Sequence, residues 1–173
     1  MEFRKLIESR HSVREFKPEQ VDETKLKRIL EAANSAPSAG NLQAYEILVV
    51  KDEGKRKALS EACMGQEFIA QAPLALLFFA NPERSARKYG ERGKTLYCIL
   101  DAAIAASYAQ LAIADEGLST VWVGALNDEE IKKITNAPAH LVPVGLLPVG
   151  KADEKPESHA RRELFDLVKH EQF

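Results

Sequence analysis

Five consecutive residues, Arg10-His11-Ser12-Val13-Arg14, carry two guanidinium groups, an imidazole and a hydroxyl. A guanidinium is a rigid planar fork that matches phosphate oxygens two at a time. A serine hydroxyl and free backbone N–H groups beside it can complete an anion shell. The segment follows a short apolar helix face (Phe3, Leu6, Ile7) and precedes an extended stretch, so its backbone donors are not all committed. The same residues also suit a solvated helix end, where exposed charge is ordinary.

Three further segments hold groups with chemical use. In Ala36-Pro-Ser-Ala-Gly-Asn-Leu-Gln43, Pro37 fixes the chain, and Ser38, Ala39 and Gly40 keep it slim enough for backbone to approach a flat ligand. Asn41 and Gln43 add amides that both donate and accept, a mixture that suits the edge of a heterocycle. A helix-terminal loop with an Asx turn reads equally well there. Gly124, inside Val123-Gly124-Ala125, ends an apolar run; without a β-carbon, it lets its own carbonyl or the next N–H reach a ring, or it is only a strand-end glycine. Arg161 and Arg162 lie in a charged tail and could join the same phosphate or simply face water.

Other chemistries leave weaker traces. Gly93-Lys94-Thr95 resembles the end of a phosphate loop, but the position of the first glycine of G-x-x-x-x-G-K-S/T holds Lys88, and the apolar run before it ends at Ala80. No G-x-G-x-x-G and no G-x-S-x-G occurs. His11, His140, His159 and His170 are scattered, with no metal-ligand spacing, so no metal is expected. The net charge of −2 gives no general pull toward nucleic acid or an anionic membrane. The apolar stretch around 96–114 is interrupted by Asp101, Ser107 and Gln110, a poor membrane span. Cys63 and Cys98 sit in apolar surroundings with no CxxC pair, as buried thiols of a reducing compartment do. With a charged, amphipathic N-terminus that lacks the apolar core of a signal peptide, this predicts a cytoplasmic protein.

The elements that must position these groups can be read from patterning. At 173 residues and 45% hydrophobic content the chain suits one domain with its own core. Asp22 caps a helix carrying Leu26, Ile29, Leu30 and Ala33, which must stop before Pro37. Tyr45–Lys51 reads as a strand, Asp52 to about Ala62 as a helix, and Ala72–Asn81 as a strand buried on both faces. Residues 81–94 read as a polar connecting loop before a long helix over 94–116 with Gly117 as its C-terminal cap. Ser119–Leu126 reads as a buried strand and Asn127 as the cap of a short helix. Val142–Gly150, with two prolines, reads as an irregular or edge strand. The mixture indicates an α+β or α/β domain. A helix apolar nearly all round needs cover on most sides, so the long helix is expected at the centre of a homodimer.

In their order along the chain these segments resemble the nitroreductase family of FMN-dependent oxidoreductases. "SRHSVREF" is similar to the family's Arg-x-Ser-x-Arg signature, "APSAGNLQ" to its Ala-Pro-Ser-x-x-Asn-x-Gln loop, and "GLSTVWVG" to its Gly-Leu-x-x-x-Trp-x-Gly stretch after the central helix. The resemblance implies an α+β, three-layer fold over residues 1–173: a central mixed, mainly antiparallel sheet flanked by helices, with the long helix at the dimer interface. It implies two FMN sites between the subunits. Arg10, His11, Ser12 and Arg14, with Arg161 or Arg162, would take the phosphate and ribityl side. Pro37, Ser38, Ala39, Asn41 and Gln43 would come from the partner, Val123, Gly124 and Ala125 would lie near the ring's N5, and the tail, 150–173, would pack on the partner or the phosphate. NADH or NADPH would be the electron donor and a nitroaromatic, a quinone or a similar electrophile the acceptor, in ping-pong kinetics with no obligatory acid–base residue. The chain lacks the helical insertion of larger relatives, a role left to the 81–94 loop as a lid, and Ala44-Tyr45 stands where many carry proline and an aromatic. A specialised flavin enzyme (dehalogenation, dehydrogenation or flavin breakdown) and a non-enzymatic flavin-binding protein remain as alternatives.

Overall fold

The computed structural model describes residues 2–173. In chain order it contains α1 (Phe3–Ser9), α2 (Glu23–Asn34), β1 (Tyr45–Val50), α3 (Glu53–Ala62), α4 (Phe68–Gln71), β2 (Leu74–Ala80), α5 (Pro82–Arg92), α6 (Cys98–Asp115), β3 (Ser119–Thr120), α7 (Asp128–Thr135), β4 (Val142–Gly150) and α8 (Leu164–Leu167). Helix starts follow the capping residues. Asp22 Oδ1 accepts from the Thr24 and Lys25 N–H groups, Asp52 Oδ1 from Lys55, and Asn127 Oδ1 from Glu130. Gly117, at φ 70°, closes α6, with Leu118 N–H reaching back to the Ile113 carbonyl.

The sheet order is β1-β2-β4-β3, and every strand pair is antiparallel. One parallel bridge, Ser12 to Thr120, adds the N-terminal segment at the β3 edge. All seven residues of β2 are buried because the sheet is covered on both sides. Leu74, Leu76, Phe78 and Ala80 pack with α2 and α6; Ala75, Leu77 and Phe79 pack with α3, α4 and α7. The period-two alternation of a strand thus divides one apolar run between two cores, giving three layers.

The structure revises three expectations. Residues 81–94 are not a loop: Asn81 caps α5 through the Arg84 N–H, Pro82 occupies its first turn, and a π-helical turn (Gly93–Tyr97) carries the chain into α6. The long helix therefore begins its regular part at Cys98. The strand expected over 119–126 shrinks to Ser119–Thr120 plus a bridge between Val123 and Leu146, because the chain bows where Trp122 lies over Gly145. The strand with two prolines is irregular but interior, between β2 and β3, with an extra residue, Val144, bulged between the Phe78–Gly145 and Phe79–Pro143 pairs.

Pro82–Asp115 spans 34 residues and is long and apolar enough by length and composition to cross a membrane, although its helical geometry breaks at Gly90 (φ 54°) and passes into the π-helical turn before α6. Its inner face is nevertheless core: Cys98, Ala102, Ala105, Ala106, Ala109 and Ile113 are fully buried. The alanines let α2 and the sheet approach α6 closely. On the opposite side Ile99, Leu100, Ile104 and Tyr108 stay exposed.

Candidate functional site

α1 ends where the Arg10 N–H reaches the Leu6 carbonyl, and the chain then turns to lie beside β3. The Val13 N–H donates to the Thr120 carbonyl, and Val13 is buried. This registration leaves Arg10, His11 and Ser12 half-buried and Arg14 exposed. Neither guanidinium has a carboxylate partner among the described residues. Arg10 and His11 line a small cavity with Gln110, Ile113, Ser119 and Thr120. The buried Thr120 Oγ1 has no hydrogen-bond partner among the described residues. The Arg14 N–H is committed to the Glu154 carboxylate, so Arg14 offers only its side chain.

The second cluster forms at the other end of the domain. After α2 the chain makes a turn, Ala39–Asn41, with Gly40, Asn41 and Gln43 all at positive φ (57°, 58° and 48°). Two non-glycine residues in that region within three positions mark a loop held by its surroundings. Ser38 Oγ accepts from the Gln43 N–H at 2.9 Å, and Gln43 Nε2 donates to Asn41 Oδ1 at 3.2 Å. The clamp that sequence reading missed is Asp101. It is 2% exposed on α6, its Oδ1 accepts from the Ala39 N–H at 2.9 Å, and its Oδ2 has no hydrogen-bond partner among the described residues. Its only trace in the sequence is a carboxylate inside an apolar helix, which reads as an interruption. Pro37, Asn41 and Gly40 are exposed, so the loop presents its edge to solvent.

The two clusters do not meet within one chain. Asp101 marks one and Ile113 the other, twelve residues apart on α6, or about 18 Å along the axis at helical rise. Of the third segment, Val123 is buried and exchanges both backbone hydrogen bonds with Leu146, so it is a core residue. Gly124 and Ala125 are exposed and remain accessible. Arg161 and Arg162 lie on an exposed tail; Arg162 donates to the Asp166 carbonyl, and no hydrogen bond or ion pair among the described residues ties either to residues 10–14. Gly93-Lys94-Thr95 lies in the π-helical turn Gly93–Tyr97 that leads into α6, which is helical backbone and not a phosphate loop. Burial pushes the Cys63 thiol up to about 11 and raises Cys98 as well, which makes both inert rather than nucleophilic.

The chain is similar to known proteins over most of its length. The Nitroreductase family model matches residues 7–78 and 61–151. A Thermus thermophilus protein described as NADH dehydrogenase is 30% identical, over 87% of this chain and 87% of its own length. A Bacillus subtilis protein described as FMN reductase [NAD(P)H] is 31% identical over 84% of this chain, which spans 64% of that longer relative. The structure of NfrA2 from B. megaterium superposes with a TM-score of 0.90 at 29% identity, covering 98% of this chain and 74% of that one.

Proposed function

From the premise that this chain belongs to the nitroreductase family, we propose that it is an NAD(P)H-dependent FMN oxidoreductase acting as a homodimer on a small electrophile such as a nitroaromatic or a quinone. The observation that carries the reading is the pair of complementary clusters: unpaired arginines on a half-buried turn at one end of α6, and a slim amide-bearing loop clamped by Asp101 at the other. Their donor sets fit FMN. Cations and hydroxyls suit its phosphate and ribityl chain, and amides with exposed backbone suit the polar edge of its ring.

When bound, FMN supplies the redox chemistry, accepting hydride from a nicotinamide and delivering it to an acceptor. The chain's own residues would bind and orient it. Arg10 and Ser12 would hold the phosphate, with His11 alongside and Arg161 or Arg162 brought in from the tail. Arg14 would place an unpaired guanidinium for the ring edge that gains negative charge on reduction. Pro37, Ser38, Ala39, Asn41 and Gln43 would cover the ring from the partner subunit, and the backbone at Gly124 and Ala125 would orient it. Donor and acceptor would occupy one open face in turn, which gives ping-pong kinetics. The exposed Ile99, Leu100, Ile104 and Tyr108 supply an apolar face for a second copy. Residues 1–173 then form one domain whose tail, 150–173, crosses to the partner. Two buried free thiols suit a cytoplasmic enzyme.

The test is direct. Purified protein should be yellow or become so with added FMN, and should oxidise NADH or NADPH when an acceptor panel is supplied. A colourless protein that takes up no FMN refutes the reading. A yellow protein that oxidises neither donor is a flavin-binding protein and not this enzyme.

A further inference from the structure

α5 carries charge for which the FMN site has no use. From Arg84 to Lys94 there are five cations (Arg84, Arg87, Lys88, Arg92, Lys94) against one carboxylate, Glu91, in a chain of net charge −2. All five are exposed, and none is ion-paired among the described residues. The patch is fastened to the cofactor loop. Arg84 Nε donates to the Leu42 carbonyl. A β-carbon at Gly40 would lie 2.4 Å from Tyr89 Oη and 2.7 Å from Lys88 Nζ, so these two side chains close directly on the loop. The Tyr89 and Tyr97 rings meet edge to face at 5.2 Å. Lys88 Nζ lies 5.4 Å from the Tyr89 ring centre, and the Arg92 guanidinium lies 5.4 Å from that of Tyr97, whose hydroxyl accepts from Arg92 Nε at 3.0 Å. A cation–ring–ring–cation row therefore starts at the loop and joins α5 to the π-helical turn that follows it.

A nicotinamide dinucleotide matches this row in chemistry. Its nicotinamide must reach the flavin, while its diphosphate and adenosine trail away, bringing negative charge and a flat base. Cations beside half-buried aromatic rings hold both. Accepting the function proposed above, we infer that Lys88, Tyr89, Tyr97 and Arg92 form the docking site for the diphosphate and adenosine half of the donor, and that NADPH, with its third phosphate, gains more from it than NADH.

The probes are 2′-phospho-ADP-ribose, which has the phosphates and adenine but no nicotinamide, and 1-benzyl-1,4-dihydronicotinamide, which has the reverse. Titration calorimetry on the FMN-loaded wild type should detect 2′-phospho-ADP-ribose binding that weakens with added salt. In Lys88→Gln/Arg92→Gln, that binding and the ratio of kcat/KM for NADPH to that for the phosphate-free donor should each fall about tenfold or more, since one charge-assisted hydrogen bond contributes at least that. Lys57→Gln, on exposed α3 surface, should change neither. Wild type that does not bind 2′-phospho-ADP-ribose, or a double variant with unchanged affinity and ratio, overturns the inference. The calorimetric arm needs no turnover, so its result separates this site from the redox function. A protein that oxidises NADPH with the ratio unchanged retains the function and loses only the site.

Discussion

Replacing Asp101 by leucine tests the clamp on the cofactor loop. Asp101 is 2% exposed and its Oδ1 receives the Ala39 N–H at 2.9 Å, so leucine, which is bulkier and cannot accept, removes the one partner of that N–H among the described residues. A hydrogen bond to a charged group contributes about 1.5–3 kcal/mol. The loop must hold Gly40, Asn41 and Gln43 at positive φ to present its amides. Without the clamp, that ordering cost shifts to the moment of FMN binding, so the dissociation constant should rise about ten- to a hundredfold. Asp101→Asn keeps an Oδ1 acceptor but gives up the charge and replaces the unpartnered Oδ2, so it should weaken binding by about tenfold at most, less than leucine does. The assay is quenching of flavin fluorescence on titration of apoprotein, with circular dichroism melts to confirm folding. A folded leucine variant with wild-type affinity refutes the clamp. So does an asparagine variant that loses as much as leucine.

Gly145→Ala would place a β-carbon 2.4 Å from the Trp122 ring; overpacking of this kind costs about 1–3 kcal/mol, so the melting temperature should fall by several degrees. Asn127→Ala removes the α7 cap and should cost about 1 kcal/mol in urea unfolding, with FMN affinity unchanged. Neither cysteine should react with Ellman's reagent at pH 8 until the chain is unfolded. Because burial raises the Cys63 thiol from 9.0 to about 11, the folded state holds that proton more tightly, so stability should decline as pH rises from about 9 to 11, and less so in Cys63→Ala. Ile104→Lys puts a charge on the exposed apolar face of α6 and should shift sedimentation from dimer to monomer, with FMN lost in the same variant.

What the sequence disclosed follows from how local each signal is. Asp22, Asn127 and Gly117 mark helix ends through contacts within five residues and act as read, whereas Asp52, read as the first residue of its helix, is the cap just before it. The all-buried β2 was legible because a strand covered on both faces needs no polar positions. Three features depend on distant partners and were not legible. Residues 81–94 are polar because α5 lies on the surface, not because they lack structure: Ser85 packs against Gly93, whose missing side chain admits it. The proline-bearing β4 is interior because the bulge at Val144 absorbs its irregularity. Asp101 matters through Ala39, 62 positions away.

The same separation is the reason the proposed site would need two chains. Asp101 and Ile113 fix the amide loop and the arginine turn at opposite ends of one rigid helix, about 18 Å apart at helical rise. The sheet repeats the separation: the loop joins β1 at Tyr45, paired with Ala80 of β2, whereas Val13 attaches at Thr120, level through Val149 with Leu74 of β2, six residues or about 20 Å along that strand. No rotamer change closes that distance. Two copies of α6 crossing antiparallel through Ile104 and Tyr108 would bring each Asp101 end toward the other chain's Ile113 end, and a two-fold axis does this twice at once. On this geometry one packing event builds both sites, so loss of the α6 contact and loss of FMN should not be separable by any substitution confined to that helix's exposed face.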